Sequence, residues 1–132
     1  MNSKELEGRL RSLALRIVNV CEALPKNKIC RVIEDQLLRS SFSAAANYRA
    51  SCKAISKKSF VSKLSISFEE ADESLFWIET IIELKLLTRG KMSGVFQEAS
   101  ELASILAASR KTSQSRLKKS NTGKTALGDT KY

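Results

Sequence analysis

Apolar side chains recur at alternating intervals of four and three residues along most of this chain, which places them on one face of an α-helix. The first such stretch predicts a helix over about residues 3–24. Pro25 ends it, because proline has no N–H with which to continue the hydrogen-bond ladder. A second stretch predicts a helix over residues 28–55. Its middle is rich in serine and alanine, which allow another backbone to approach closely within a bundle or between subunits.

The third stretch has the longest and most regular pattern, running from Phe60, assigned to the core, to Leu86. Gly90 predicts the end of this helix, because glycine readily adopts the left-handed conformation of a helix C-cap. The fourth stretch begins near Lys91, and its periodicity fades after Ala108.

Together the four stretches predict an all-α fold. Short connections and matched apolar faces are typical of an up-down-up-down four-helix bundle, which we expect over residues 1–112. Residues 113–132 are rich in Lys, Ser, Thr and Gly, with little to bury, and predict a disordered basic C-terminal tail.

The residue inventory disfavours an enzyme. The chain has 132 residues and no histidine, so neither a Ser-His-Asp system nor a histidine metal site can form. Its carboxylates lack the Glu-x-x-His pattern of bundle metal sites. We therefore expect no catalytic residues, no metal and no cofactor.

The cysteines and the hydropathy indicate the compartment. Cys21, Cys30 and Cys52 are odd in number and lack C-x-x-C spacing, which favours buried residues in a reducing compartment. Neither a secretory signal nor an apolar run long enough to span a membrane is apparent. We expect a cytoplasmic protein with no membrane partner.

The charge is strongly positive and unevenly distributed. Lys plus Arg number 23 and Asp plus Glu number 14, for a net charge of +9. The excess lies in the first 60 and the last 42 residues, around an acidic segment in the third helix. A basic excess favours an anionic partner, most commonly nucleic acid, although a merely solubilising surface explains it equally well.

Two basic clusters are the candidate nucleic-acid site. In an antiparallel bundle the end of the second helix, the start of the third and the end of the fourth lie together. The clusters are Lys53, Lys57, Lys58 and Lys63 on one side, and Arg110, Lys111, Arg116, Lys118 and Lys119 on the other. Such a site binds phosphate without reading bases.

A subunit interface is predicted on the third helix, which carries more apolar surface than one inward stripe requires. The candidates are Phe76, Trp77 and Ile81, joined by Ala44 and Tyr48 on the small-residue face of the second helix.

Two stretches carry a family resemblance. Residues 36–49 read QLLRSSFSAAANYR, and residues 56–79 read SKKSFVSKLSISFEEADESLFWIE. They resemble the patterns Q-L-x-R-S-x-x-S-x-x-x-N and S-x-x-x-F-x-x-K-L-x-I-x-x-x-E-A-D-E-S-x-x-W of the bacterial four-helix-bundle proteins encoded in intervening sequences of 23S ribosomal RNA genes. EASEL at residues 98–102 and AASRK at residues 107–111 are similar to the last helix of that family.

The resemblance implies a ring-like homopentamer. It also implies kinship with the accessory protein of diversity-generating retroelements, a basic pentamer that works with a reverse transcriptase and its RNA. RNA or a reverse-transcriptase complex is therefore an expected partner.

Two functions remain open at this point. The first is a non-catalytic nucleic-acid-binding accessory protein that holds structured RNA, or RNA and DNA, by charge. The second is a protein-interaction scaffold with no nucleic-acid role, whose acidic third helix docks a partner protein.

Overall fold

The computed structural model describes the backbone of residues 1–126 and the side chains of residues 1–121. It contains four helices, α1 (Ser3–Ala23), α2 (Lys28–Cys52), α3 (Lys57–Glu83) and α4 (Arg89–Ala126). Each helix packs on the next along the chain, and α1 closes the bundle against α4. The predicted all-α four-helix bundle is confirmed. No helix within the described range is long and apolar enough to cross a membrane.

Side-chain caps start the first three helices. The Asn2 side chain accepts a hydrogen bond from the Glu5 N–H at 2.8 Å, and Asn27 serves α2 in the same way. Ser56 caps α3, accepting from the Ser59 N–H at 3.1 Å. A short side-chain acceptor at this position satisfies a backbone donor that the helix leaves unpaired.

The end of α3 differs from the prediction. Lys85, with φ of 55°, takes the left-handed position that the sequence assigned to Gly90. The Lys85 N–H bonds the Ile82 carbonyl at 3.0 Å and the Leu86 N–H bonds the Ile81 carbonyl at 3.1 Å. These two bonds form a Schellman motif. Gly90 lies instead in the first turn of α4.

The fourth helix is longer than its apolar pattern indicates. The structure continues α4 through residues 113–126, where the sequence predicted a disordered tail. Apolar periodicity reports burial, whereas a helix also persists where Lys, Arg, Gln and Leu favour it and no proline interrupts it. The rest of the predicted tail, residues 127–132, lies outside the described residues.

Ile29, Ile55 and Cys52 lie outside the core. Ile29 is 60% exposed, and Ile55 is fully exposed because α2 ends before it, at Cys52. Cys52 is also exposed, whereas Cys21 and Cys30 are buried as expected. Burial raises the pKa of Cys21 to about 11, which keeps that thiol protonated and unreactive.

The small residues of α2 pack within the subunit, against α3. Ser40 and Ser74 are buried, and their hydroxyl oxygens lie 2.9 Å apart. One α2 turn further on, the buried Ser67 hydroxyl donates to the Ala44 carbonyl at 2.7 Å. The residue number of the contact falls along α3 as it rises along α2, so the two helices are antiparallel. Their backbones are close enough for a side chain of one helix to reach the main chain of the other.

Ion pairs join the outer edges of neighbouring helices. The Arg39 guanidinium donates to Glu70, at 2.7 Å, and to Glu73. Arg9 donates to Glu98 of α4 at 2.7 Å. The hydrogen bond from Arg39 lowers the pKa of Glu73, and that from Arg9 lowers the pKa of Glu98. Part of the acidic surface of α3 is therefore neutralised by its own chain.

Candidate nucleic-acid interface

The two predicted basic clusters meet in a groove between the start of α3 and the last part of α4. Lys57 and Arg116 line the same cavity of about 170 Å³, together with Phe60, Ser113 and Leu117. Phe60 and Arg116 also line an adjoining cavity of about 330 Å³. We call these two cavities the α3–α4 groove. The chain fold thus brings together side chains that are nearly 60 positions apart in sequence.

Most of the candidate cations are exposed. Lys53 caps the end of α2, and Lys57 and Lys58 lie in the first turn of α3, whose N-terminus adds a partial positive charge. The other exposed candidates are Lys63 on α3 and Lys111, Arg116, Lys118 and Lys119 on α4. The structure places them at one end of the bundle, but only Lys57 and Arg116 line a common cavity.

Arg110 is the exception among the candidates. It is half-buried, and its guanidinium carbon lies 4.4 Å from the centre of the Phe68 ring. A cation over an aromatic face is attracted by the ring quadrupole. Arg110 therefore also stabilises the packing of α4 against α3.

The electrostatic environment of this end differs from that of the bundle body. In the body, Arg9 and Arg39 pair with carboxylates, and in the last turn of α2 Arg49 pairs with Glu7. Among residues 1–121, none of the nine candidate cations lies within ion-pair distance of a carboxylate. The sequence has no acidic residue between Glu101 and Asp129. Positive charge at this end is consequently available to an anion from outside.

Sequence reasoning overlooked cations at the opposite end. Lys85, Arg89 and Lys91 line a cavity of about 570 Å³ beside the α3–α4 connection. A neighbouring cavity of about 390 Å³ includes Arg89 but also Glu79 and Glu83. Charge of both signs therefore lines that end. No carboxylate lines the α3–α4 groove among the described residues.

A second missed surface lies between α1 and α2. Arg11 and Arg49 flank Phe42 in a cavity of about 290 Å³ that also contains Glu7. The Arg49 guanidinium lies 3.7 Å from the Glu7 carboxylate. One of the two cations that line this cavity is therefore already paired. The sequence shows only one arginine on each of two separate helices. That the two arginines share a surface becomes clear only when α1 and α2 are packed together.

The predicted interface residues divide into two groups. Ala44, Tyr48 and Ile81 are 3%, 6% and 0% exposed and belong to the core of the subunit, so their assignment to a surface is corrected. Phe76 is 56% exposed, and its ring meets Trp77 edge to face at 4.9 Å. The Trp77 indole N–H donates a hydrogen bond to the Glu73 carboxylate at 3.0 Å. Exposed Phe76 and partly buried Trp77 thus remain as an aromatic pair on the outer side of α3.

Among the described residues no three His, Cys, Asp or Glu side chains are grouped so that they could hold a metal ion. The cysteines there are free thiols.

Comparisons with known proteins agree with this architecture. A solved structure from Bacteroides thetaiotaomicron VPI-5482, described as a protein of unknown function from the S23 ribosomal protein family, superposes with a TM-score of 0.75. It is 30% identical, and the match covers 84% of this chain and 99% of that one. No curated protein matches. The family model for the 23S rRNA-intervening sequence protein matches residues 8–108. This chain belongs to the 23S rRNA-intervening sequence protein family.

Proposed function

We propose that this protein is a non-catalytic accessory protein that binds structured RNA, or RNA and DNA together, through phosphate contacts at the α3–α4 groove and along the exposed end of α4. One observation carries the proposal. The groove brings Lys57 and Arg116 into one cavity whose described lining contains no carboxylate. A polyanion is the ligand that such a surface favours.

The available charge supports phosphate binding rather than base reading. Lysine and arginine contacts to phosphate position a nucleic acid without identifying its sequence. The exposed cations on α4 are spread over about two turns of one helix, so they are suited to contacting successive phosphates of a backbone. Affinity should therefore fall steeply with salt and vary little with sequence.

The family supports the same class of partner. The matched family model is named for an intervening sequence of 23S rRNA, and the resemblance to the accessory protein of diversity-generating retroelements implies a reverse transcriptase and its RNA. We therefore propose RNA, alone or within a reverse-transcriptase complex, as the partner.

We further propose that the protein assembles as a homopentamer through the outer face of α2 and α3. The aromatic pair of exposed Phe76 and partly buried Trp77 lies on this face. By the register of the Ser40–Ser74 contact, Ile29 and Val32 of α2 lie near the same end as Leu84 of α3, and all three are at least half exposed. A ring would repeat the basic end once per subunit, and repeated weak sites add avidity.

Sedimentation of the purified protein at micromolar concentration tests the assembly. We expect an oligomer, and Phe76→Asp should dissociate it because a charge would be buried without a partner. Phe42→Asp, which alters an exposed aromatic residue on the α1–α2 side, is the matched control and should leave the assembly intact. A monomeric parent protein would contradict the proposed pentamer.

Removal of charge tests the nucleic-acid function. We expect Lys57→Ala, Lys58→Ala and Lys63→Ala, combined in one variant, to weaken binding to structured RNA for all sequences alike. The slope of log affinity against log salt should fall by about 0.9 for each lost contact, the value for duplex DNA. Binding is measured at two salt concentrations, and circular dichroism checks that the helical signal is unchanged.

The opposite end of the bundle supplies a matched control. Lys28→Ala, Lys85→Ala and Lys91→Ala remove the same charge from exposed positions near the other two connections. Equal weakening in both variants would show that binding depends only on net charge and would refute the proposed site. If the parent protein has no affinity near physiological salt, the function itself is wrong and the scaffold hypothesis replaces it.

A further inference from the structure

Phe60 packs against the core but is less buried than its sequence pattern predicts. The pattern assigns it to the core, which would leave no aromatic side chain among the basic residues. In the structure Phe60 is only partly buried and lines both cavities of the α3–α4 groove, with Arg116 and Ser113 beside it in each. An aromatic face and cations therefore share one surface.

The larger cavity combines an apolar wall with hydroxyl groups. Phe60 and Leu64 line one side, and Ser109, Thr112 and Ser113 of α4 line the other. Tyr48 also lines it, and burial raises the pKa of its hydroxyl to about 12. The volume, about 330 Å³, falls within the usual range for a small-ligand site.

The smaller cavity continues the groove towards positive charge. Lys57 enters its lining at the N-terminus of α3, and Arg116 is common to both cavities. An occupant of the larger cavity would therefore have cations immediately next to it. No described carboxylate lines either cavity, which disfavours a basic peptide as the occupant.

We infer that the α3–α4 groove receives an unpaired nucleotide, with its base against Phe60 and its phosphate at Lys57 and Arg116. The inference rests on the proposed function and narrows its ligand to a nucleic acid that presents a single-stranded segment. Proteins that bind single strands combine an aromatic platform for a base with a positive groove for the backbone. The two cavities supply one of each.

Most of the α4 side of this groove follows the end of the family-model match. The family model ends at residue 108, whereas Ser109, Thr112, Ser113 and Arg116 follow it. The groove therefore depends on the continuation of α4 in this chain.

Phe60→Leu tests the inference, because leucine keeps the apolar contact with the core but removes the aromatic face. The probes are a fluorescent oligouridine and a blunt RNA duplex of equal length. We expect the variant to bind the oligouridine about 5- to 150-fold more weakly than the parent protein, the range for loss of one stacked base. Binding to the duplex and the salt slope should stay unchanged, because no charge is removed.

Phe96→Leu is the matched control. Phe96 is also partly buried and also lines a cavity between α3 and α4, but at the opposite end. Its substitution should affect neither probe. If both variants bind the oligouridine alike, Phe60 is not a stacking platform. Separately, binding of the parent protein to oligodeoxythymidine in place of oligouridine tests whether the site requires the ribose hydroxyl in addition to stacking.

Photocrosslinking of the unaltered protein gives a second readout that does not depend on how a variant folds. With 5-iodouridine in the oligonucleotide, we expect the crosslink in the peptide containing Phe60 or in that containing Tyr48. A crosslink only at Trp77 or Phe96, or none despite binding, would overturn the inference. A parent protein that binds the duplex but not the single strand would overturn it while leaving the proposed function standing. Binding to neither would overturn both.

Discussion

Replacing Lys111, Arg116, Lys118 and Lys119 together with glutamine should lower the affinity for a nucleic-acid duplex by roughly three to four orders of magnitude at about 0.1 M salt. Each phosphate contact contributes about 0.9 to the slope of log affinity against log salt on duplex DNA. Four lost contacts reduce that slope by about 3.6. Because log affinity is linear in log salt, the affinity at about 0.1 M then falls by about 3.6 decades. Fluorescence anisotropy over a series of salt concentrations measures both quantities.

Glutamine is a suitable replacement because its helix propensity is close to that of lysine and arginine. The four side chains are exposed, so the bundle should melt at the same temperature. The control variant carries glutamine at Lys28, Lys85, Arg89 and Lys91, which also removes four positive charges. A similar loss of affinity in the control would mean that the end of α4 has no special role.

The apolar pattern correctly predicted which face of each helix is buried in the core. The spacing from Leu64 to Ile78 fixed which side of α3 faces the core, and both residues are fully buried. Periodicity carries no such information where a helix leaves the bundle. The end of α4 could therefore not be found from it, and helix propensity without a breaker was the better guide.

Side chains at the edge of the core were harder to assign. Phe60 follows the α3 stripe, yet the neighbouring part of α4 does not cover it completely, since that part carries Ser109, Thr112 and Ser113 rather than large apolar residues. The groove depends on what the opposite helix lacks. A pattern read along one helix cannot reveal this.

The Schellman motif at Lys85 escaped prediction for a similar reason. A left-handed residue is usually glycine, and Gly90 was the nearest candidate. The two capping hydrogen bonds, to Ile81 and Ile82, instead fix Lys85 in that conformation. Backbone hydrogen bonds outweighed the residue preference, as tertiary context commonly does.

The contact between α2 and α3 provides the prediction with the largest effect on stability. Replacing Ser40 and Ser74 together with leucine is expected to lower the free energy of unfolding by about 2–6 kcal/mol, since each inserted side chain in a tight core costs about 1–3 kcal/mol. The two hydroxyl oxygens lie 2.9 Å apart and both residues are buried, so there is no space for either leucine. Urea denaturation followed by circular dichroism measures the change.

Two controls separate steric crowding from loss of the hydrogen bond. Ser40→Ala with Ser74→Ala removes both hydroxyl groups together and leaves neither without its partner, so the loss should stay near 1 kcal/mol. Ser62→Leu adds the same bulk at an exposed position of α3 and should change stability by less than about 0.5 kcal/mol. If the double leucine variant is as stable as the double alanine variant, the two helices can move apart at little cost. The serines would then not be what sets their close approach.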